Sequence, residues 1–203
     1  IYYGYRKDPY ASQHLFNAGI TSNDLEPYIS YSGKFHQIRP NMDATIHLEY
    51  SGINVIRFNG LGNNTKTSKS ASHYKIEQKE LTLSPSLEYQ FGKNRAKNND
   101  SKNDPLRPTF IVNFGTEIKY SETPLKKNKN KFINRYSQPI YGSESFGQAG
   151  IKVGLKFDTR DKKGYTGKGT LIKLSGSVYP VIWDIKSTFS RMDGSISKYM
   201  SPE

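Results

Sequence analysis

The chain has 203 residues, a formal net charge of +12 and no cysteine. Without cysteine it can form neither a disulfide framework nor a thiolate metal site. Hydrophobic residues make up only 34% of it, and no apolar run approaches the roughly 18 residues of a transmembrane helix. The composition therefore excludes a helical membrane protein. Because the first residue is Ile1 rather than methionine, we expect a processed chain or a piece of a longer one.

The N-terminal part contains two alternating runs that predict a β-hairpin. In residues 26–38 and again in 43–50, apolar and polar side chains alternate with a period of two. The sequence R-P-N at 39–41 predicts the turn between them. Gly52 stands where the alternation changes phase, so we predict a β-bulge there, inside one long strand.

The rest of the chain continues the same pattern and indicates an all-β fold. Polar loops separate the runs, and no segment of useful length shows the apolar spacing of an amphipathic helix. We therefore predict about nine strands in antiparallel order. The further runs are 81–91, 110–120, 149–158, 170–179 and 185–200.

One run alternates without a slip and predicts which side of its strand meets lipid. Residues 149–161 read A-G-I-K-V-G-L-K-F-D-T-R-D. An oily face opposite a charged face suits a strand between lipid and water. The predicted lipid-facing residues are Ile151, Val153, Leu155 and Phe157, and those that face the other way are Lys152, Gly154, Lys156 and Asp158.

Alternation alone does not say whether the apolar face lies inside a barrel or outside it. Three features favour an antiparallel transmembrane β-barrel in a bacterial outer membrane. Several runs have 11 residues or more, enough for a tilted crossing. Short turns alternate with long polar loops, except at 93–107, which is long where a short turn is expected. Aromatic residues also stand near the ends of the runs, where membrane barrels carry aromatic girdles: Tyr28, Tyr89, Phe91, Tyr120, Tyr179, Trp183 and Tyr199.

Much of the positive charge is concentrated in two stretches, 93–107 and 126–135, which are rich in asparagine and poor in apolar residues. We interpret both stretches as solvated loops that are not required for folding. Their charge suits acidic headgroups, so outer-membrane lipid and glycolipid are the predicted partners. Nucleic acid is not predicted as a partner, because the charge is not spread along one face. A soluble basic β-protein that binds nucleic acid is kept as an alternative that membrane fractionation would test.

The densest charged cluster follows the run at 149–158. We predict a structural turn in which Arg160 pairs with a carboxylate, because adjacent strand residues face opposite sides and no histidine or nucleophile stands nearby in the sequence. No catalytic residue, metal ligand or cofactor is predicted. The residues of this turn motif are Asp158, Arg160, Asp161, Gly164, Gly167 and Gly169.

The four histidines are scattered along the chain. His36 and His47 stand on the polar face of the predicted hairpin, where they could oppose each other and hold a metal with Asp43 or Glu49. Polar residues that line a lumen are far more common than metal sites, so a structural role is preferred.

Residues 146–202 resemble the barrel of the BamA/TamA superfamily, also called the bacterial surface antigen family. The resemblance is carried by F-D-T-R-D at 157–161, G-Y-T-G-K-G at 164–169, L-I-K-L-S-G-S-V-Y-P at 171–180 and K-Y-M-S-P at 198–202. Thr166 stands where the family commonly has a proline. Weaker similarity extends upstream, to G-Y-R-K-D-P-Y-A at 4–11 and R-F-N-G-L-G-N-N-T at 57–65.

The resemblance implies that residues 1–203 form a single, partial outer-membrane barrel domain. The family's barrels have sixteen strands, whereas this chain supplies about nine, and it lacks the family's V-R-G-F/Y motif and closing strand. The implied function is outer-membrane protein assembly or translocation, with client outer-membrane proteins and accessory lipoproteins as partners. The alternative is a barrel that anchors or translocates an upstream enzymatic domain, of phosphoesterase or patatin-like type. The chain itself is not expected to be an enzyme.

Overall fold

The computed structural model describes residues 2–3, 10–22, 25–61, 65, 69–91, 109–124, 126–136, 140–161 and 166–201. Within these ranges nine strands form one sheet, in which each strand pairs antiparallel with the next along the chain. The predicted all-β antiparallel fold is therefore confirmed. The strands are β1 (Tyr2–Tyr3), β2 (Ser12–Ile20), β3 (Pro27–Arg39), β4 (Met42–Arg57), β5 (Lys75–Phe91), β6 (Thr109–Glu122), β7 (Ser145–Asp158), β8 (Gly169–Tyr179) and β9 (Phe189–Tyr199).

The antiparallel order divides the connections between two rims of the sheet. We call the rim with the segments 21–26, 58–74, 123–144 and 180–188 the loop rim. It carries the two described helices, α1 (Ala71–Tyr74) and a 3₁₀ helix (Phe132–Arg135). The opposite rim, with segments 40–41 and 159–168, is the turn rim. The basic stretch predicted at 93–107 joins β5 to β6 and lies outside the described residues.

The pairing registers place apolar residues of neighbouring strands on one side of the sheet and polar residues on the other. The β6–β7 ladder runs without interruption from Thr109 opposite Asp158 to Glu122 opposite Ser145. On β4, the register with β5 shifts between Ser51 and Asn54. The bulge predicted at Gly52 is therefore confirmed, and it allows β4 to continue toward the loop rim.

The structure also contains strand residues that alternation did not identify. In β2, Leu15 and Phe16 are adjacent apolar residues, so no period of two was visible. β5 begins at Lys75 rather than at residue 81, because its first residues pair with the end of β4 beyond the bulge. β9 begins at Phe189 rather than at residue 185, since residues 180–188 form a loop.

Candidate functional site

Few apolar side chains are buried in the part of the sheet that the structure describes. Among the described residues, only five hydrophobic side chains are buried, whereas 32 large ones are exposed. The exposed residues include partners on adjacent strands, such as Phe114 opposite Val153 and Leu155 opposite Leu174. Phe114 is 54% exposed and Val153 is 45% exposed. A continuous apolar surface therefore covers one side of the sheet.

The sheet curves toward its polar side. Residues from six consecutive strands, β3 to β8, line one cavity of about 380 Å³. Most of them are polar, and the apolar residues among them are Ile111, Leu155 and Leu174. Side chains from strands this far apart can share a cavity only if the sheet is strongly curled. The apolar side is therefore convex, and the polar side is concave. One polar residue from each of the six strands lines this cavity: Lys34, Asp43, Glu88, Asn113, Lys156 and Lys173.

Two rows of aromatic side chains border the convex surface. Near the turn rim, Phe91, Phe110 and Phe157 lie side by side on β5, β6 and β7. Near the loop rim, Tyr120 stacks on Trp183, with ring centroids 6.0 Å apart. Phe110 and Tyr120 are on the same face of β6 and about 34 Å apart along the strand. A strand tilt of 35–45° reduces this to about 24–28 Å, the height of the apolar band of a membrane barrel.

Two of the predicted girdle aromatics lie on the concave face instead. Tyr28 donates a hydrogen bond to Glu49 at 3.3 Å. Tyr179 is buried and donates to Glu117 at 2.6 Å. Position near a strand end predicted both residues wrongly, because it does not say on which face a side chain lies. Tyr199 also departs from the prediction, since its ring lies beneath the Arg160 guanidinium, 5.9 Å away.

The concave face carries ion pairs that connect neighbouring strands. Lys152 donates to Glu117 at 2.7 Å, and Lys119 pairs with Glu80 at 2.8 Å. Lys34 bridges two strands, since its Nζ lies 3.3 Å from Glu88 and 3.8 Å from Asp43. These side chains remain partly exposed, which is typical of a polar lining in contact with water.

One contact group on this face has the residue types of a hydrolase triad. Ser32 Oγ lies 2.8 Å from His47 Nδ1, and His47 Nε2 lies 3.4 Å from Glu49. A nucleophilic serine also needs amide donors for the developing oxyanion. The amides around Ser32 pair with β2 and β4 in the two flanking ladders. We therefore interpret the group as cross-strand polar contacts.

The histidines do not meet in the way that the metal hypothesis required. His36 Nδ1 lies 2.9 Å from Asp43 Oδ2, whereas His47 is opposite Ser32. The described residues contain no set of three or more His, Asp or Glu side chains placed to share a metal ion.

The turn motif between β7 and β8 contains a bidentate ion pair. Arg160 donates to both carboxylate oxygens of Asp158, at 2.8 and 2.9 Å. This hydrogen bonding raises the pKa of the Arg160 guanidinium above its ordinary value.

Asp161 accepts a hydrogen bond from the Gly167 amide at 3.1 Å. Gly169 has φ +128°, and a Cβ there would meet the Thr159 carbonyl at 2.5 Å, so this position requires glycine. Gly164 lies outside the described residues.

Most of the second basic stretch is exposed, as the prediction of a solvated loop at 126–135 requires, but one residue within it departs from that prediction. Asn128 is fully buried. Its side-chain amide accepts from the Glu77 N–H at 3.0 Å, donates to the Glu77 carbonyl at 3.0 Å and donates to the Pro124 carbonyl at 2.9 Å. The side chain thus continues the β5 ladder beyond the last paired residue of β6. Composition suggested solvation because it does not reveal that one asparagine in a polar run has backbone partners.

Aromatic packing and a further ion pair hold this segment against the loop rim. Phe132 packs against Phe58, Tyr74 and Tyr136, with ring centroids 5.3–6.0 Å apart. Lys127 forms a short ion pair with Glu26 in the connection between β2 and β3. The hydrogen bond from Lys127 holds the pKa of the Glu26 carboxyl below its usual range.

Replacing Asn128 by alanine is expected to open this segment locally. The change leaves the N–H and the carbonyl of Glu77 without the side-chain partner, at about 1–3 kcal/mol for each buried group left unpaired. The Pro124 carbonyl keeps its hydrogen bond from the backbone amide of residue 128. Trypsin cleavage after the lysines at 126–131 should accelerate at least about fivefold, because cleavage follows the population of the open form. Asn130 is exposed in the same turn, so Asn130→Ala is the control. Equal cleavage rates in the two variants would contradict the structural role of Asn128.

The loop between β8 and β9 covers the end of β7 at the loop rim. The Gly147 amide donates to Asp184 Oδ2 at 2.7 Å, and the Asp184 amide donates to the Gly147 carbonyl at 3.2 Å. Trp183 has φ +64°, which is rare for a bulky residue. A Cβ at Gly147 would overlap the indole ring, so glycine lets this ring lie flat on the convex side of β7. The indole is nevertheless 57% exposed.

None of the helices in the described ranges has the length and apolar content that a membrane crossing requires. Comparison with protein-family models, with curated proteins and with solved structures gave no match.

Proposed function

We propose that this chain is part of an outer-membrane β-barrel of the BamA/TamA type that serves in outer-membrane protein assembly or translocation. The observation that supports the membrane location is the distribution of side chains on the curved sheet. Apolar residues cover its convex side, and ion pairs line its concave side. Soluble monomers rarely expose apolar patches of more than a few hundred square ångströms. In a membrane barrel the apolar convex side would face lipid, and the polar concave side would face water in the lumen.

Single cysteines can test this assignment of the two faces. The chain has no cysteine of its own. On β7, Leu155→Cys places a thiol on the convex side and Lys156→Cys on the concave side. On β8, Leu174→Cys and Ser175→Cys form a second such pair. In isolated membranes, a charged, water-soluble maleimide should label the Lys156 and Ser175 variants and leave the other two unlabelled.

Labelling after unfolding in detergent is the control, because all four thiols should then react. If the Leu155 and Leu174 variants react in membranes as fast as their neighbours, the apolar side meets water. The chain would then be a soluble β-protein, and the membrane proposal would fail.

The proposed assembly function rests on the resemblance of residues 146–202 to the superfamily. A depletion experiment can distinguish it from the alternative, in which the barrel anchors an enzymatic domain. If the protein inserts clients, its depletion should lower the amounts of other outer-membrane barrels. If it anchors an upstream phosphoesterase or patatin-like domain, those amounts should stay constant while the enzyme loses its attachment to the membrane. The sequence preceding Ile1 would provide an independent test of the same choice.

A further inference from the structure

The loop rim carries an ordered basic surface. We call residues 126–131, K-K-N-K-N-K, the basic turn. Buried Asn128 fixes the backbone of this turn through three hydrogen bonds. Lys126 and Lys129, on either side of it, are exposed. Because the backbone is already ordered, these two lysines can bind an anion without the cost of ordering a loop.

Within the described loops of this rim, basic side chains outnumber acidic ones. Two of the three acidic side chains in the described loops already have partners, since Glu26 pairs with Lys127 and Asp184 accepts from the Gly147 amide. The described residues of these loops contain seven basic side chains, Lys69, Lys126, Lys127, Lys129, Lys131, Arg135 and Lys186, and three acidic ones, Glu26, Glu144 and Asp184.

The basic turn lies just beyond the level where lipid headgroups are expected. Stacked Tyr120 and Trp183 stand on the convex side near the end of β6, and aromatic residues of this kind mark the boundary between acyl chains and headgroups. From Tyr120, β6 continues only to Glu122 before the chain enters the basic turn. Asn128 attaches the turn to the edge of β5. The turn is therefore a continuation of the sheet wall, next to the lipid boundary.

We propose that the basic turn binds the phosphate groups of an anionic glycolipid in the outer leaflet. This inference rests on the proposed membrane location. Lys126 and Lys129 supply the charge, Asn128 orders the turn that carries them, and Tyr120 with Trp183 contacts the adjoining acyl region. The same arrangement orients the protein, with the loop rim outward and the turn rim toward the periplasm.

The test uses the full-length protein extracted from membranes in a neutral detergent and titrated with bisphosphorylated lipid A, with bound lipid counted by native mass spectrometry. Each lysine near an anionic surface contributes about 1 kcal/mol, or about fivefold in affinity. Lys126→Gln combined with Lys129→Gln should therefore weaken lipid A binding by tenfold or more. Lys168→Gln combined with Lys198→Gln removes the same charge at the opposite end of the sheet, where both residues are exposed. This control should bind as the unchanged protein does.

Two further arms test the headgroup chemistry and the ordering of the turn. Monophosphorylated lipid A should bind more weakly than the bisphosphorylated form, and phosphatidylcholine more weakly than either. Asn128→Ala keeps every charge but loosens the turn, so it should also weaken binding. Equal weakening by the two lysine pairs, or equal binding of all three lipids, would overturn the proposal. The cysteine labelling remains independent, because it would still report a membrane barrel if lipid A binding failed to change.

Discussion

Arginine introduced at Val153 is expected to destabilise the folded protein in membranes by about 2–4 kcal/mol, a larger cost than at Leu155 or Phe157. Val153 is opposite Phe114, which is near the midpoint between the aromatic rows at Phe110 and Tyr120. Under the proposed membrane location, a charge there meets the middle of the apolar layer. Leu155 and Phe157 lie progressively closer to the turn rim. The cost should therefore fall from Val153 to Leu155 to Phe157.

Ser175→Arg is the matched control for this series. Ser175 is opposite Gly154 on the concave face, so it stands at similar depth but faces the polar lining. Arginine there should be almost without effect, as should Lys156→Arg. The free energy of unfolding, measured by denaturant titration in vesicles, provides the comparison. Equal costs at Val153 and Ser175, or no gradient along β7, would show that the convex side does not face lipid.

The 203 residues alone are expected not to form a compact, closed barrel. β1 and β9 are the edges of the sheet. In the described part of the chain every neighbouring pair is antiparallel and the number of strands is nine, so these two edge strands run in the same direction and cannot pair antiparallel with each other. β9 therefore keeps an unpaired edge, and each unsatisfied backbone group costs several kcal/mol in lipid.

A second copy of the chain does not solve this problem. Antiparallel pairing of β9 with β9 of another copy would turn that copy upside down in the membrane. The partial-barrel proposal therefore requires further strands of the same polypeptide, which would return in the required direction and pair with β9.

The measurement compares the 203-residue chain with the full-length protein after refolding in detergent. The full-length protein should migrate as a compact, heat-modifiable and protease-resistant species, and the shorter chain should not. A resistant, heat-modifiable monomer of 203 residues would mean that the sheet closes on itself, and the partial-barrel proposal would be wrong.

Much of the sheet was determined by the sequence alone. A side chain's face on a strand depends only on the parity of its position, so runs such as residues 149–158 predict strands and their two faces without knowledge of their neighbours. The bulge at Gly52 was visible for the same reason, because a bulge changes the phase of the alternation. β2 was missed because its adjacent Leu15 and Phe16 hide the period.

The tertiary structure decided which face is convex and which polar groups meet. Parity assigns two faces but not the sense of curvature, which depends on packing across strands that are distant in the sequence. The partners of Tyr28 and Tyr179 likewise come from neighbouring strands. Asn128 shows the largest difference, because composition predicts a solvated loop around it. Only the fold brings the backbone of Glu77 within hydrogen-bonding distance and makes that polar segment part of the wall.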